Sequence, residues 1–156
     1  MASAIDIVLE PLMNLVDESG TELELRVGTL EGDTAKHGGE PIVVRAVANH
    51  YGTATQPPRP FYTAAAEEHG EEWCQTAADV LAKGGSIRQA LGATGELAVM
   101  DIQIVIDEWQ TPANSQKTIK HKRNEHNRQN DPLVDFGDMR DAQAFEIVPK
   151  GSKGDG

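Results

Sequence analysis

The sequence predicts an α+β fold: a small antiparallel β-sheet with two main α-helices packed on one face, plus an N-terminal helix and a long basic loop. Two short segments, residues 21–30 and 42–53, alternate apolar and polar side chains with the period of a half-buried strand. Two longer segments, 60–82 and 86–109, repeat apolar residues at helical spacing. These strand and helix patterns do not alternate along the chain as they do in a parallel α/β protein.

The N-terminal segment is predicted to be helical. Its apolar residues recur at spacings of four, three and four, which places on one helical face Ile5, Leu9, Leu12 and Val16. Pro11 argues against an uninterrupted helix, because proline removes a backbone hydrogen bond and clashes one turn back. A helix that starts near Pro11 and a kinked helix are both compatible with the pattern. Gly20 is expected to end the helix.

Two strands are expected to follow as an antiparallel hairpin. In the first, Leu23, Leu25 and Val27 alternate with charged residues. The turn-rich stretch EGDTAKHGGEP, residues 31–41, is predicted to be a loop. The second predicted strand is IVVRAVANHYGT, residues 42–53, whose alternation ends at an aromatic–glycine pair. The hairpin would therefore have a long connection.

Proline and glycine mark the ends of the first main helix. Pro60 fits the first turn, where a missing N–H is no loss, and the helix is predicted to run to about Ala82, with Gly84 stopping it. Its inner stripe is predicted to comprise Trp73, Ala77 and Leu81.

The second main helix begins with a capping-box pair, Ser86 and Gln89, and ends before Pro112. Its apolar positions at helical spacing are Ile87, Leu91, Ala98, Ile102, Val105 and Trp109.

The remainder is predicted to be a loop over 110–131, a short helical turn in PLVDFGDMRDA and a last strand in QAFEIV. The length fits one domain, which the sequence places at residues 1–148, followed by a flexible tail at 149–156.

Charge is unevenly distributed along the chain. Residues 116–130 carry a formal charge of +4, which leaves −15 for the remainder of a chain whose total is −11. The basic side chains of this loop are Lys117, Lys120, Lys122, Arg123 and Arg128. Three interpretations stay open: a solvated loop, a contact with another protein through charge complementarity, and a phosphate contact. The loop has no interleaved aromatic residues, which single-strand binders use for stacking, and the overall acidity disfavours a general DNA-binding surface.

The sequence predicts neither an enzyme nor a cofactor or metal site. The five histidines and the single cysteine have no zinc-ligand spacing. Cys74 lies five residues after His69 without an acid in register to orient it, and the acidic residues around His69 are typical of a solvated helix face. The single cysteine indicates a reducing compartment. No apolar run is long enough to span a membrane, and no signal peptide is expected.

Three motifs, taken in order, resemble the tailed-bacteriophage neck and tail-completion family, also called the virion morphogenesis family. The first motif contains Tyr51, Gly52, Thr53, Arg59, Pro60 and Phe61. The second contains Pro112, Asn114, Thr118, Ile119 and Lys122. The third contains Pro132, Leu133, Asp135, Gly137 and Met139. The resemblance covers about residues 40–148. The chain departs from the pattern at Phe136, where members often carry threonine, and in the insertion at 123–131.

This resemblance implies a structural virion protein without enzymatic activity. Such proteins act late in virion assembly in the host bacterial cytoplasm, as a ring at the head–tail junction or the head-proximal end of the tail. The expected partners are copies of the chain itself, six rather than twelve, together with neighbouring connector and tail tube proteins. DNA would pass through the channel as cargo, and no membrane would be contacted. The alternative is a nucleic-acid-binding accessory protein that uses residues 116–130. The residues expected to contact a neighbouring subunit or partner are Arg59, Pro60, Phe61, Asn114, Lys117, Lys120, Lys122, Arg123 and Arg128.

Overall fold

The structure, a computed structural model, describes residues 15–29, 39–121, 131–134 and 137–153. Its strands are β1 (Leu23–Thr29) and β2 (Gln143–Pro149), and its helices are α1 (Ile42–Tyr51), α2 (Phe61–Ala82), α3 (Ile87–Glu108), α4 (Gln116–His121) and α5 (Asp138–Asp141). None of the described helices is both long and apolar enough to cross a membrane. The predicted N-terminal helix falls mostly on residues 1–14, which lie outside the described residues.

The sheet joins the two ends of the described chain. Strands β1 and β2 pair antiparallel, in a register that runs from Leu23 opposite Pro149 to Thr29 opposite Gln143. The segments of β1 and β2 were both predicted to be strands, but they were not predicted to pair with each other. The expected hairpin between residues 21–30 and 42–53 is therefore wrong.

The two long helices follow each other through a short connection and pack together. Helix α3 also contacts both strands, so it lies between α2 and the sheet. The predicted α+β architecture is confirmed. The largest fully buried side chains of this arrangement are Trp73, Phe61, Leu91, Ile102, Ile106 and Thr94. Burial of each apolar side chain in this set contributes about 1.5–3 kcal/mol, so the helix pair and the sheet stabilise each other.

The start of α3 has the predicted capping box. The Ser86 hydroxyl accepts from the Gln89 N–H at 3.1 Å, and the Gln89 side-chain oxygen accepts from the Ser86 N–H at 2.8 Å. These bonds satisfy two backbone donors that a helix N-terminus otherwise leaves without partners.

The segment predicted as the second strand is helix α1. Ile42, Ala46 and His50 are buried and lie four residues apart, which is helical spacing. Val43 and Val47 also lie four apart, so the pattern that indicated a strand is equally compatible with a helix. Tertiary contacts decide between the two conformations. Strand β1 has β2 as its described partner, and helix α1 packs its buried face on β1 and α5.

Two further sequence predictions need correction. The predicted loop over 110–131 contains helix α4, whose first turn is capped because the Ser115 hydroxyl accepts from the Thr118 N–H at 3.2 Å. Gly20 does not end a helix that includes Val16, because Val16 bridges Glu22 in an extended pair. The turn between them is closed by the Asp17 carboxylate, whose pKa is lowered to about 2 mainly by the Ser19 hydroxyl hydrogen bond.

The predicted tail begins inside the sheet. Pro149 is the last residue of β2, the Lys150 N–H donates to the Glu22 carbonyl at 2.8 Å, and the Arg26 guanidinium donates to the Ser152 carbonyl. Backbone bonding to the sheet thus continues past the predicted boundary at 148.

A buried polar cluster holds the end of the sheet. The Tyr62 hydroxyl donates to the Gln143 side-chain oxygen at 2.9 Å and accepts from the Thr29 N–H at 3.0 Å, while the Gln143 amide donates to the Met139 carbonyl at 2.8 Å. Burial raises the pKa of Tyr62, so this hydroxyl stays a donor. The cluster connects α2, both strands and α5, and thereby positions α5.

A buried hydrogen bond also joins the long helices, and its loss is expected to be costly. The Trp73 indole Nε1 donates to Asp101 Oδ2 at 2.6 Å, and Trp73 is 1% exposed. Replacing Asp101 with leucine is expected to lower the free energy of unfolding by about 2 kcal/mol, because the indole N–H then stays buried without an acceptor. Urea denaturation measures this loss. Asp101→Asn keeps an acceptor oxygen and serves as the control; an equal loss in both variants would contradict the role assigned to the hydrogen bond.

Candidate functional site

The three motifs that carry the resemblance meet at one surface groove. Its cavity volume is 480 Å³. It is lined by residues 55–57 and Arg59 from the first motif, by 114, 115 and 118 from the second, and by 132–134 and 137–139 from the third. Helix α1 adds Arg45 and Asn49, and Glu40 completes the described wall. We call this the motif groove.

The first wall of the motif groove is a tight turn after α1. Gly52 has φ 78° and ψ 175°, a conformation that only glycine adopts easily. Thr53 and Gln56 then bond through their backbones, with the Thr53 N–H donating to the Gln56 carbonyl at 2.8 Å. The Asn49 side chain fastens this turn, because its oxygen accepts from Gln56 Nε2 at 2.5 Å.

Arg59 connects the first motif with the second. Its backbone N–H donates to the Asn49 carbonyl at 2.7 Å. Its guanidinium donates through Nε to the Pro112 carbonyl at 2.9 Å and through Nη2 to the Ala113 carbonyl at 3.1 Å. Arg59 is only 4% exposed, and burial lowers the pKa of its guanidinium from the ordinary value. A planar fork with several donors can bond two consecutive carbonyls in this way, and a lysine ammonium cannot reproduce it.

The third motif is joined to both others. Asn114 Nδ2 donates to the Asp131 carbonyl at 3.3 Å, next to Pro132. Leu133 and Met139 are buried in the core cluster, and Asn49 Nδ2 lies 3.9 Å from the Met139 sulfur. Contacts across up to 90 residues of sequence therefore bring the three motifs together.

The residues predicted to contact partners occupy different environments. Phe61 is fully buried and Arg59 nearly so, whereas Pro60 is exposed and Asn114 is half-buried. Phe61 therefore makes its contacts within this chain. Lys117 and Lys120 lie in α4, while Lys122, Arg123 and Arg128 lie outside the described residues.

Sequence reasoning missed Asn49, Gln56 and Arg45 as residues of this site. Arg45 pairs with Glu40 across the start of α1. The misassigned strand hid Arg45 and Asn49, because a strand would have placed both on one solvent-facing side of the sheet. On a helix, positions 45 and 49 lie one turn apart and face the groove together.

The other candidates considered for chemistry stay apart in the described part of the chain. No three His, Cys, Asp or Glu side chains among the described residues come together as metal ligands. Burial, followed by the charge of Glu71, raises the pKa of the Cys74 thiol, which disfavours the reactive thiolate. His69 Nδ1 lies 4.0 Å from Asp101 Oδ2, beyond hydrogen-bonding distance.

Helix α1 also has an exposed apolar face. Val44, Val47 and Tyr51 are 55%, 37% and 67% exposed, and their spacing of three and four residues places them on one side. The opposite side of α1 packs into the core, so this helix is apolar on two faces.

Comparisons of the chain with protein-family models, with curated proteins and with solved structures gave no match.

A buried histidine beside the groove predicts a dependence of stability on pH. His50 packs against the rings of Tyr51, Phe61 and Tyr62 at centroid distances of 4.7, 5.7 and 5.7 Å, and its buried Nδ1 atom has no hydrogen-bond partner among the residues that the structure describes. Burial lowers its pKa from the ordinary 6.5, so the folded state favours the neutral ring. As pH falls below 6.5, the unfolded chain takes up the proton more readily than the folded one, and stability is lost.

Urea denaturation at about pH 7.5 and about pH 5.5, on either side of the ordinary histidine pKa, measures this effect. The wild type is expected to lose more stability between these values than His50→Leu does. Equal losses in the wild type and in His50→Leu would contradict the prediction.

Proposed function

We propose that this chain is a structural virion protein of a tailed bacteriophage. It forms a ring at the head–tail junction, as a neck, tail-completion or tail-terminator protein that joins tail to head and surrounds the DNA channel. The observation that carries this proposal is the convergence of the three resembling motifs on the motif groove. Arg59 ties the first motif to the second, and Asn114 ties the second to the third. Residues selected separately along the chain for their resemblance to a family thus form one connected site.

The exposed face of α1 supports a role in assembly. A row of apolar side chains on a surface helix is typical of an interaction surface. A ring built from head-to-tail contacts needs two different surfaces on each subunit, and the α1 face offers one of them. Burial of Val44, Val47 and Tyr51 against a neighbour would stabilise the contact.

The charge of the chain supports the same role. The groove walls contain charges of both signs, because Arg45 and Arg59 line it together with Glu40 and Asp138. They therefore do not form a positively charged surface that would bind a polyanion. The net charge of −11 suits a ring through which DNA passes without adhering.

The oligomeric state of the purified full-length chain tests the proposal. Mass photometry and electron microscopy should show closed rings, and six copies of a 16.8 kDa chain would have a mass of about 100 kDa. A persistent monomer whose binding to DNA weakens steeply with salt would refute the ring and favour the nucleic-acid-binding alternative.

Charge reversal in the basic loop is expected to impair joining. Replacing Lys120, Lys122 and Arg123 with glutamate turns a local attraction toward an acidic neighbour into repulsion. We expect ring formation, or the attachment of tails to heads in a complementation assay, to fall by at least about tenfold.

The control for this variant reverses three basic residues elsewhere in the sequence, Lys36, Lys83 and Lys153. It changes the net charge by the same amount and should assemble normally. Normal infectious particles from the loop variant would refute the assigned role of the loop.

A further inference from the structure

One nitrogen of the buried Arg59 guanidinium, Nη1, has no hydrogen-bond partner among the described residues. Its Nε and Nη2 atoms donate to backbone carbonyls, and no carboxylate in the described part of the chain lies within 4.0 Å of the guanidinium. Nη1 is not among the fully enclosed atoms without partners. Nη1 is therefore still accessible at its surface, and Arg59 is one of the residues that line the motif groove.

The charge balance of the groove specifies the kind of group that Nη1 can bind. The Arg45 charge is met by its ion pair with Glu40, but the carbonyls that Arg59 bonds are neutral. A buried arginine charge is stabilised best by a hydrogen-bonded anion. The Asp138 carboxylate on the wall disfavours a nucleic-acid backbone, with its row of charges, more strongly than it disfavours a single negative group.

The size of the groove limits the occupant further. A volume of 480 Å³ suits one side chain with its flanking residues, whereas a helix is about 10–12 Å across. The chain itself is rich in suitable groups, with 25 acidic against 14 basic residues. A second copy of this chain therefore presents many carboxylates to such a groove.

We propose that the motif groove binds a carboxylate side chain of a second copy of this chain, which accepts a hydrogen bond from Arg59 Nη1. The choice of a second copy as the source rests on the proposed function, because a ring brings the groove of one subunit against a different surface of the next. The carboxylate subsite itself rests on the Arg59 geometry and on the charges and volume of the groove, and it does not depend on the ring. Loss of the subsite removes a charge-assisted contact, which acts mainly on the dissociation rate of a complex.

The subsite is tested by arginine side-chain NMR. The full chain, labelled with ¹⁵N-arginine and diluted until it is monomeric, is titrated with sodium acetate, and with sodium chloride and sodium phosphate at matched ionic strength. Acetate is expected to shift the Arg59 side-chain resonances until the shift saturates. The resonances of the exposed Arg88 should shift no more in acetate than they do in chloride. The same response of Arg59 to all three salts, or no response, would overturn the subsite whatever the oligomeric state. A larger response to phosphate would overturn the assignment of a carboxylate.

The source of the carboxylate is tested by blocking the groove without altering the core. Thr55 lines the groove, is exposed and makes its hydrogen bond through the backbone N–H, so Thr55→Trp fills the groove and removes no bond of that side chain. Ala54→Trp is the matched control, because Ala54 is an exposed neighbour that does not line the groove. We expect Thr55→Trp to weaken self-association in sedimentation velocity by at least about tenfold, and Ala54→Trp to leave it unchanged.

Arg59→Lys is the second variant, because it keeps the positive charge and loses the fork. It should weaken self-association like Thr55→Trp, with folding checked by circular dichroism. Acetate binding together with normal association of Thr55→Trp would overturn the second copy as the source. Acetate binding by a chain that never associates would overturn both that source and the ring, while the carboxylate subsite would stand.

Discussion

Replacing Gly52 with alanine is expected to lower the free energy of unfolding by about 3 kcal/mol or more. The φ of 78° and ψ of 175° cost a residue with a side chain roughly 1–3 kcal/mol. An added Cβ would also lie 2.8 Å from the Pro58 nitrogen and 2.9 Å from the Gln56 carbonyl oxygen. Both are backbone atoms held by the turn, so relief requires the turn to move, at a cost of about 1–3 kcal/mol. Urea denaturation followed by circular dichroism measures the sum.

The control is Gly84→Ala. Gly84 has a similar φ of 85°, but nothing lies within 4 Å of the site of its Cβ. This variant is expected to lose only the conformational part, about 1 kcal/mol. Equal losses at the two positions would show that the close approach at Gly52 has no energetic weight.

The Gly52 variant should also affect assembly. The turn that would move carries Thr55 and Gln56, which line the motif groove. Under conditions where the variant stays folded, its self-association is expected to be weaker than that of Gly84→Ala. If the Gly52 variant associates as strongly as Gly84→Ala, the turn is not part of the assembly surface, which would contradict the proposed role of the groove.

Replacing Gly95 with alanine is expected to lower the free energy of unfolding by about 2 kcal/mol, although alanine is the better helix former. Gly95 lies within α3, where it faces β2, and an added Cβ would lie 2.5 Å from the Cγ and Cδ2 atoms of Phe145. Alanine gains about 1 kcal/mol in helix propensity. Because 2.5 Å is far inside contact distance, the ring and its strand must shift, at a cost of about 3 kcal/mol or more. The difference between this cost and the gain is the expected net loss.

Gly92→Ala is the control in the same helix. Nothing lies within 4 Å of the site of its Cβ, so the propensity gain should appear alone, as an increase of about 1 kcal/mol. The double variant Gly95→Ala, Phe145→Leu should lose less than the two single losses together, because the smaller side chain relieves the clash. Additive losses would contradict contact between Gly95 and Phe145 as the cause.

Long periodic segments could be predicted well from the sequence. The stripe of α2 includes the buried Trp73 and Ala77, and the capping box at Ser86 marks the start of α3. These features depend on local chemistry: side-chain spacing on a helix and donors at its first turn. Short segments were harder, because Ile42–Tyr51 fits both periods and local propensity is a weak guide there.

The candidate site could be predicted only in part. Its motifs were selected from the sequence, but their meeting in one groove depends on contacts such as Arg59 with the carbonyls of Pro112 and Ala113. No local pattern encodes these contacts, because backbone carbonyls are the same at every residue. The sequence also carried no sign that Nη1 of Arg59 lacks a hydrogen-bond partner in the described part of the chain, because this depends on the burial of the side chain in the fold.

By itself the sequence determined the α+β class, the two long helices, both strands of the sheet, and the uneven placement of charge. Only the tertiary structure decided which strands pair, that the segment after Pro41 is a helix, and that three distant motifs share one groove. The physical reason is the distance along the sequence over which each interaction acts. Periodicity, capping and local charge depend on residues a few positions apart, whereas strand pairing and the burial of Arg59 depend on contacts between segments about 50 to 120 residues apart.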